Sequence, residues 1–474
     1  MSTDADEVEA ALGAVPRAAA GPAARTAVAD GVAEGPRRPW AARTFAALGH
    51  RDYRLFFLGM AVSSVGTWGR HAAQAWLVSD LTPDRRWLAW SSAASLLGIA
   101  LCSFPGGVLA DRVNKRRLLF WVQVASLVLS TILTVLVATR TATPALVVAL
   151  ACGFGVVGGL EMPCRQGFVV EMVGRETLRN AIALNSLMFN LPLILGPALA
   201  SVLADTLGPT SVFAFDALSY LAAIVAFAQI RAGAAPPPRA AARPVAELTA
   251  GFRYVAGDRA TRTVLLLLAV AMVCGWSYTS LLAAYARDTL RTDAHGYNLL
   301  YLSSGVGACV GALVTASRRP GRPMRTIVGA LAVFLVSYVG VAVARDLATA
   351  VVARTLAGAA MITFFATGST SIQLSVPDAI RSRVMALWTF TFALALPVGQ
   401  VILGELARTR SVPETYATGA VAMVVGVAAI LVEAARRDLQ RSRSTTYRAS
   451  ASSPAPSGSV ASDVTAEASL ARAR

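Results

Sequence analysis

Only 15% of the 474 residues are charged, while 55% are hydrophobic. A soluble chain of this length needs more polar surface than that to cover itself, so the shortage of charge argues against an ordinary water-soluble globule. Cysteine is also sparse. Cys102, Cys152, Cys164, Cys274 and Cys309 all fall in or at the ends of apolar stretches, without the paired spacing that builds a tetrahedral metal site. They read as small packing residues, and no metal is expected. The three histidines (His50, His71, His295) are scattered along the chain and no nucleotide-binding loop of the Walker type is present. The glycine-rich stretch from Gly153 to Gly159 lies inside an apolar segment, where glycine serves helix packing. These absences leave no enzyme constellation, no cofactor and no means of using ATP. The first forty residues are Ala-rich, carry Asp4, Asp6, Glu7 and Glu9, and lack an apolar h-region, so no cleavable signal peptide is expected.

What the chain does have is a series of uncharged apolar stretches, each near the roughly 20 residues that a helix needs to cross a bilayer. Nine are free of charge: Trp87 to Ala110, Leu118 to Thr139, Thr141 to Leu160, Asn180 to Ala204, Thr263 to Ala286, Gly296 to Ser317, Thr326 to Ala344, Val384 to Gly404 and Thr415 to Val432. Three more begin near Leu55, Thr206 and Leu347 and are interrupted only by Arg70 with His71, by Asp216 and by Arg354. The expected fold is an all-α membrane protein with twelve transmembrane helices, and lipid is its solvent.

The net charge of +16 raises the question of nucleic acid, but its placement answers it. With a cytoplasmic N-terminus, the even-numbered connections hold Arg112, Lys115, Arg116 and Arg117, then Arg165, Arg175 and Arg179, then a run from Arg231 to Arg262, then Arg318 to Arg325, then Arg381 and Arg383. The odd-numbered connections hold far fewer, chiefly Arg85, Arg86, Arg140, Arg287, Arg291, Arg345, Arg408 and Arg410, and Asp80, Asp84, Asp288 and Asp293 lie beside several of them. This positive-inside pattern puts both termini in the cytoplasm of a cell-membrane protein and excludes a nucleic-acid partner.

The longest connection, 231–262, opens on Pro236, Pro237 and Pro238 and divides the spans six and six. A repeat follows at that distance. Gly107 through Arg116 (GVLADRVNKR) aligns with Gly311 through Arg322, about 204 residues on, and Glu176 to Arg179 aligns with Asp378 to Arg381, about 202 on. The expected organisation is a tail over 1–50, a six-helix bundle over 51–230, the linker 231–262, a second six-helix bundle over 263–436 and a tail over 437–474, both tails being disordered because neither buries enough surface to offset its ordering entropy.

Gly107-Val-Leu-Ala-Asp111-Arg112-Val-Asn114-Lys115-Arg116 resembles the signature loop between the second and third helices of the major facilitator superfamily, with Asn114 where that pattern has glycine. Asn enters the left-handed backbone region easily, so the tight turn is expected to survive. The resemblance implies two six-helix bundles with the substrate between them, and a gating role for Gly107, Asp111, Arg112, Lys115 and Arg116. A narrower branch, the siderophore and drug exporters that include the enterobactin exporter, is resembled by Ser64-Val-Gly66-Thr67-Trp68 with Trp76-Leu77, by Asn180 to Asn185 with Gly196-Pro197-Ala198-Leu199, and by Gln373 to Asp378 with Arg381-Ser-Arg383-Val384 and Pro397-Val-Gly399. The likeness covers about residues 50 to 435. Many proton antiporters carry an arginine in the fourth helix four residues before a glycine; Ala151 stands there before Gly155, whereas the tenth helix has the spacing as Arg354 and Gly358.

A charge in hydrocarbon costs about 2.5–3.5 kcal/mol on insertion scales, so each one needs a partner, a cavity or a function. Arg70 and Gln74 share a helix face, with His71 beside them. Three readings of Arg70 stand: attraction of an anionic substrate, with His71 titrating nearby; snorkelling to the outer surface, with His71 satisfied by a backbone carbonyl; or a partnership with Asp216 in the sixth span. Glu161, Asn185, Asn190, Arg354 and Gln400 complete the candidates for substrate binding or coupling, with Glu405 near the end of the eleventh span. The expected function is secondary transport of an amphipathic small molecule, a siderophore, antibiotic or drug, exported by a monomer against an ion gradient, most simply protons. The alternatives are uptake by proton symport and a membrane sensor or scaffold without turnover.

Overall fold

A computed structural model describes residues 46–231, 244–317 and 321–451, and every regular element in them is helical. The expected tail residues 1–45 and 452–474 lie outside the described residues. After a 3-10 turn at Ala46–Gly49, the helices are α1 (Arg51–Leu81), α2 (Arg86–Arg112), α3 (Lys115–Ala138), α4 (Pro144–Leu207), α5 (Thr210–Gln229), α6 (Pro244–Gly257), α7 (Arg259–Thr289), α8 (Ala294–Ser317), α9 (Pro323–Val343), α10 (Leu347–Ser375), α11 (Asp378–Thr409) and α12 (Val412–Ala451).

Ten stretches among the described residues, not the expected twelve, are long and apolar enough to cross a membrane. Two belong to α4, Pro144–Val173 and Asn190–Leu207. The two missing are α1, diluted by Ser63, Ser64, Thr67, Arg70, His71 and Gln74, and α2, part of whose apolar stretch (residues 104, 107, 108 and 110) lies outside the described residues. Elsewhere the outward side chains are apolar, such as Leu101, Trp121, Leu313 and Val336, the surface expected of helices dissolved in lipid. The linker is not loop throughout, because α6 occupies its second half, and α12 continues to Ala451 where the chain was expected to become disordered after 436. That extension has four arginines, which favour helix, beside Ser442, Ser444, Thr445, Thr446 and Ser450, which do not, so it continues an existing helix instead of starting one of its own.

Helix pairing follows small residues. The buried stripe of α1 runs Tyr53, Phe56, Gly59, Ser63, Gly66 and Arg70, a helical repeat that faces α5. A methyl on Gly59 would meet the backbone of Ala222 and Ala223, so no larger residue allows this approach. The α2–α4 contact is equally close: Gly155 lies against the Ser95 carbonyl and Gly98 against the Cys152 carbonyl. The α8–α10 contact repeats it, with Gly358 against the Ser304 carbonyl and Gly307 against the Thr355 carbonyl. Packing this tight replaces the hydrophobic drive that lipid withholds. Gly358→Val is therefore expected to lower folded yield severalfold, because a backbone carbonyl cannot move aside as a side chain can. Gly329→Val, at a glycine with open space around it, is the matched control and should leave yield unchanged in a detergent-solubilised chromatography assay.

The contacts also fix chain direction. Ser95 and Ile99 of α2 meet Gly155 and Gly159 in the same order, while Tyr53 and Gly69 of α1 meet Ala181 and Gly196 in the same order. Since α1 and α2 are joined by a short turn and meet again at Gln74 and Ser91, the two spans of α4 run in opposite directions.

Candidate functional site

The first constellation is drawn from five spans. Arg70 of α1 and Asp216 of α5 are 1% and 0% exposed, and Arg70 Nε lies 3.0 Å from Asp216 Oδ2. Arg70 Nη1 donates to Gln74 Oε1 (2.8 Å), and Gln74 Nε2 donates to Ser91 Oγ of α2 (3.0 Å). Ser130 of α3 donates to the same carboxylate oxygen at 2.7 Å, and the guanidinium carbon stands 3.7 Å from the ring centre of Phe154 in α4. The geometry supports the partnership reading of Arg70: the cation is matched by a carboxylate, a ring face and an amide. One carboxylate oxygen, Asp216 Oδ1, has no hydrogen-bond partner. The helical spacing that suggested Arg70 with Gln74 is what brings them together, and His71, one residue further round the helix, instead packs against Trp68 at 5.7 Å.

The remaining candidates fall apart from this cluster. Glu161 accepts from Gln123 Nε2 and from Arg165 Nη1, both at 3.4 Å. Asn185 is half-buried with its Oδ1 unpartnered, and Asn190 is exposed. Gln400, 2% exposed, reaches from α11 to Ser92 of α2 at 3.3 Å, leaving its own Oε1 unpartnered. Of the gating loop, the side chains of Gly107, Asp111 and Arg112 lie outside the described residues. Lys115 Nζ meets Glu171 Oε1 at 2.5 Å, and Arg116 donates to the carbonyls of Phe227 (2.8 Å) and Ala228 (3.1 Å) at the end of α5. Asn114 does not take up the expected left-handed backbone: its φ is −63°, and its side chain caps α3 by accepting from the Arg117 amide. Capping uses the side-chain oxygen that glycine lacks, so the turn is built differently.

Arg354 sits in a second constellation. It is 3% exposed, donates from Nη1 to the Tyr278 hydroxyl at 2.6 Å, and lies 3.5 Å from the Leu300 carbonyl through Nε. Around it are buried tyrosines from α7, α8, α9 and α12: Tyr278, Tyr297, Tyr338 and Tyr416. These were invisible in the sequence, since a tyrosine inside an apolar span carries no signal until its neighbours are known.

A third group joins α1 and the turn after it to α7. Arg287 of α7 bonds Asp80 of α1 at 2.9 Å and also the Ser79 carbonyl. Arg85, in the turn after α1, bonds Asp288 of α7 at 2.8 Å and the carbonyls of Ala407 and Arg410 beyond. These two crossed pairs rim a cavity of about 230 Å³ that Thr82, Leu88 and Ala284 also line. Two further contacts reach α8: the tilted rings of Trp76 and Tyr297 have centres 5.8 Å apart, and Ser201 meets His295 at 3.2 Å. The sequence showed acids beside arginines here but not which of them paired.

Comparison with known proteins agrees with this architecture. The chain is 24% identical over 419 residues to the enterobactin exporter EntS of Shigella boydii serotype 4 (strain Sb227), which covers 85% of this chain and 96% of that one. It is 24% identical over 265 residues to the staphyloferrin A transporter of Staphylococcus aureus (strain NCTC 8325 / PS 47), covering 55% of this chain and 66% of that protein. Among solved structures, the nucleoside transporter NupG superposes with a TM-score of 0.67 at 11% identity, over 80% of this chain and 99% of that one. A bacterial homologue of the lysosomal transporter Spinster, in an inward-facing and unoccupied conformation, gives 0.58 at 15% identity, over 84% and 96%. The family model described as transmembrane secretion effector matches residues 42–467, and the chain therefore belongs to this family of major facilitator membrane transporters.

Proposed function

We propose that the protein exports an amphipathic small molecule of the siderophore or drug type across the cell membrane by alternating access, drawing on the proton gradient. In this reading the chain forms two six-helix bundles of twelve spans with both termini in the cytoplasm, and the Asp80–Arg287 and Arg85–Asp288 pairs form the outer gate. Those crossed pairs are the observation that carries it. They join α1 and the turn after it to α7, and at 27% to 51% side-chain exposure they are held by interactions of only about 0.2–1 kcal/mol each. A permanent seal would be apolar and buried; this one opens at small cost. The names of the exporter and siderophore-transporter relatives support the cargo class and the direction. Asp216 is the residue that suits proton coupling, because protonation of its carboxylate would dissolve the charge balance with Arg70 at the centre of five packed spans.

Deleting the gene should make cells retain their exported product or become sensitive to a drug, and inside-out vesicles bearing the protein should accumulate it when the lumen is made acidic, so that protons flow outward as the cargo enters. Gradient-independent equilibration would remove proton coupling, and loss of uptake into intact cells would reverse the direction.

A further inference from the structure

We infer that a groove between α8 and α9 binds one acyl chain of an anionic phospholipid, with the lipid phosphate held by Arg322 and Arg325. The inference rests on the chain's place in a membrane and not on what it transports. Space, charge and helix polarity meet at one place.

The first observation is space. α8 and α9 each pack along α10 but hardly on one another, which leaves a cavity of about 490 Å³ between them. Its floor is shut, because Gly311 lies against the Ala359 carbonyl and the Thr363 hydroxyl donates to that same carbonyl at 2.8 Å. Its outer side is open. Val310, Val314 and Val333 flank it at 43% to 49% exposure, and a Cβ on Gly329 would touch nothing outside its own helix within 4 Å. Apart from Arg325, Thr326 and Thr363 the walls are Gly, Ala and Val, a lining that suits hydrocarbon. From Arg325 to Val333 the groove follows α9 for about 12 Å, most of one leaflet's share of a hydrocarbon core about 30 Å thick. An acyl chain has that reach and enters from the side; a water-soluble ligand has no route through lipid to it.

The second is charge. The turn joining α8 to α9 carries Arg318, Arg319, Arg322 and Arg325, and the sequence holds no acid between Asp293 and Asp346. Arg325 lines the mouth of the groove and Arg322 stands one turn before it. Both are exposed, and neither has an ion-pair partner among the described residues. Basic side chains gathered at the membrane edge of an interhelical groove select lipids whose headgroup is negative. In the proposed topology this edge faces the cytoplasmic leaflet, the one that carries the negative surface potential.

The third is the start of α9. Arg322 occupies the N-cap position without a side-chain bond to the helix, and Pro323 follows it. The positive end of the helix dipole is therefore left uncapped beside the two guanidinium groups, a combination that favours a phosphate.

The test uses the purified full-length protein in detergent micelles, titrated with dioleoyl phosphatidylglycerol or dioleoyl phosphatidylcholine and read by native mass spectrometry. The two lipids share their chains and differ in net charge. The first bound phosphatidylglycerol is expected to be held at least fivefold more tightly than the first phosphatidylcholine, about the effect of one arginine at a membrane surface. Arg322→Gln with Arg325→Gln should remove that preference. The matched pair Arg54→Gln with Arg117→Gln, two exposed arginines outside the groove, should keep it. Gly329→Leu fills the groove where a side chain has room and should weaken both lipids threefold or more. No binding of either lipid, equal affinity for the two, a preference that survives Arg322→Gln with Arg325→Gln, or one lost equally in the matched pair would overturn the headgroup site. Unchanged binding in Gly329→Leu would overturn the groove. The readout is binding and not flux, so the outcome is independent of whether the protein exports.

Discussion

Arg70→Ala is expected to reduce the amount of folded, inserted protein severalfold, and Asp216→Ala to do the same. Each change leaves the opposite charge buried and unpaired, at a cost of about 3–5 kcal/mol, a large fraction of the stability of a typical domain. Gln74 and Phe154 soften the loss of Asp216 but supply no negative charge. The double change Arg70→Ala with Asp216→Ala removes both charges and should recover most of the abundance, measured by chromatography of a fluorescent fusion. Flux in that variant then separates two roles. Abundance restored without transport means that the pair works in the cycle, as the coupling proposal requires. Abundance and transport restored together would reduce the pair to scaffolding, and a double variant no better than either single one would show that the two residues are not coupled at all.

The second large effect should come from the gate. Asp80→Arg sets a cation against Arg287 and turns an attraction into a repulsion of similar size, which biases the closed end toward opening by about tenfold if each sign contributes roughly 0.7 kcal/mol. The reporter is a cysteine at Ala284, which lines the cavity beneath the pairs and is 2% exposed, in a background freed of the five native cysteines. An impermeant thiol reagent added outside intact cells should label it about tenfold faster in Asp80→Arg, and the swap Asp80→Arg with Arg287→Asp should return labelling to the starting rate. Labelling that is fast from the cytoplasmic side instead would invert the proposed topology. Unchanged labelling in the single variant would remove these pairs from the gate.

Much of this arrangement was legible before any coordinates. Charge in an apolar span stands out because it is expensive, and so Arg70, Asp216 and Arg354 declared themselves, with a pairing of the first two as one of the alternatives. Helical spacing joined Arg70 to Gln74. The repeat that surfaced as two basic turns reappears as twin glycine contacts, Gly155 with Ser95 and Gly358 with Ser304. What stayed hidden is what hydropathy averages away. Tyr278, Tyr338 and Tyr416 count among the hydrophobic residues of their spans, yet the Tyr278 hydroxyl holds Arg354 and the three rings pack on one another beside it. Ser130 and Phe154 complete the Arg70 site only through contacts across three helices. The loop between the second and third spans was read through its glycine pattern, so Asn114 was expected to mimic glycine when it acts through its side chain. The polar residues of α1, which set Arg70 and Gln74 against the interior, are the same feature that keeps it out of a count of apolar spans.

The glycine-to-carbonyl contacts have a mechanical meaning. Where α2 meets α4, and where α8 meets α10, backbones touch without side chains between them to shear or re-rotamerise, so each pair is stiff and transmits displacement over its whole length. Deformation must then concentrate where the ladder of helical hydrogen bonds is already broken, and α7 between Ala271 and Thr289 is such a place. It carries Tyr278 at one point and both Arg287 and Asp288 at another. One compliant segment thus holds the hydrogen-bond partner of Arg354 and two residues of the proposed gate, and a strain imposed on either is felt by the other without any relay through the rigid pairs beside it.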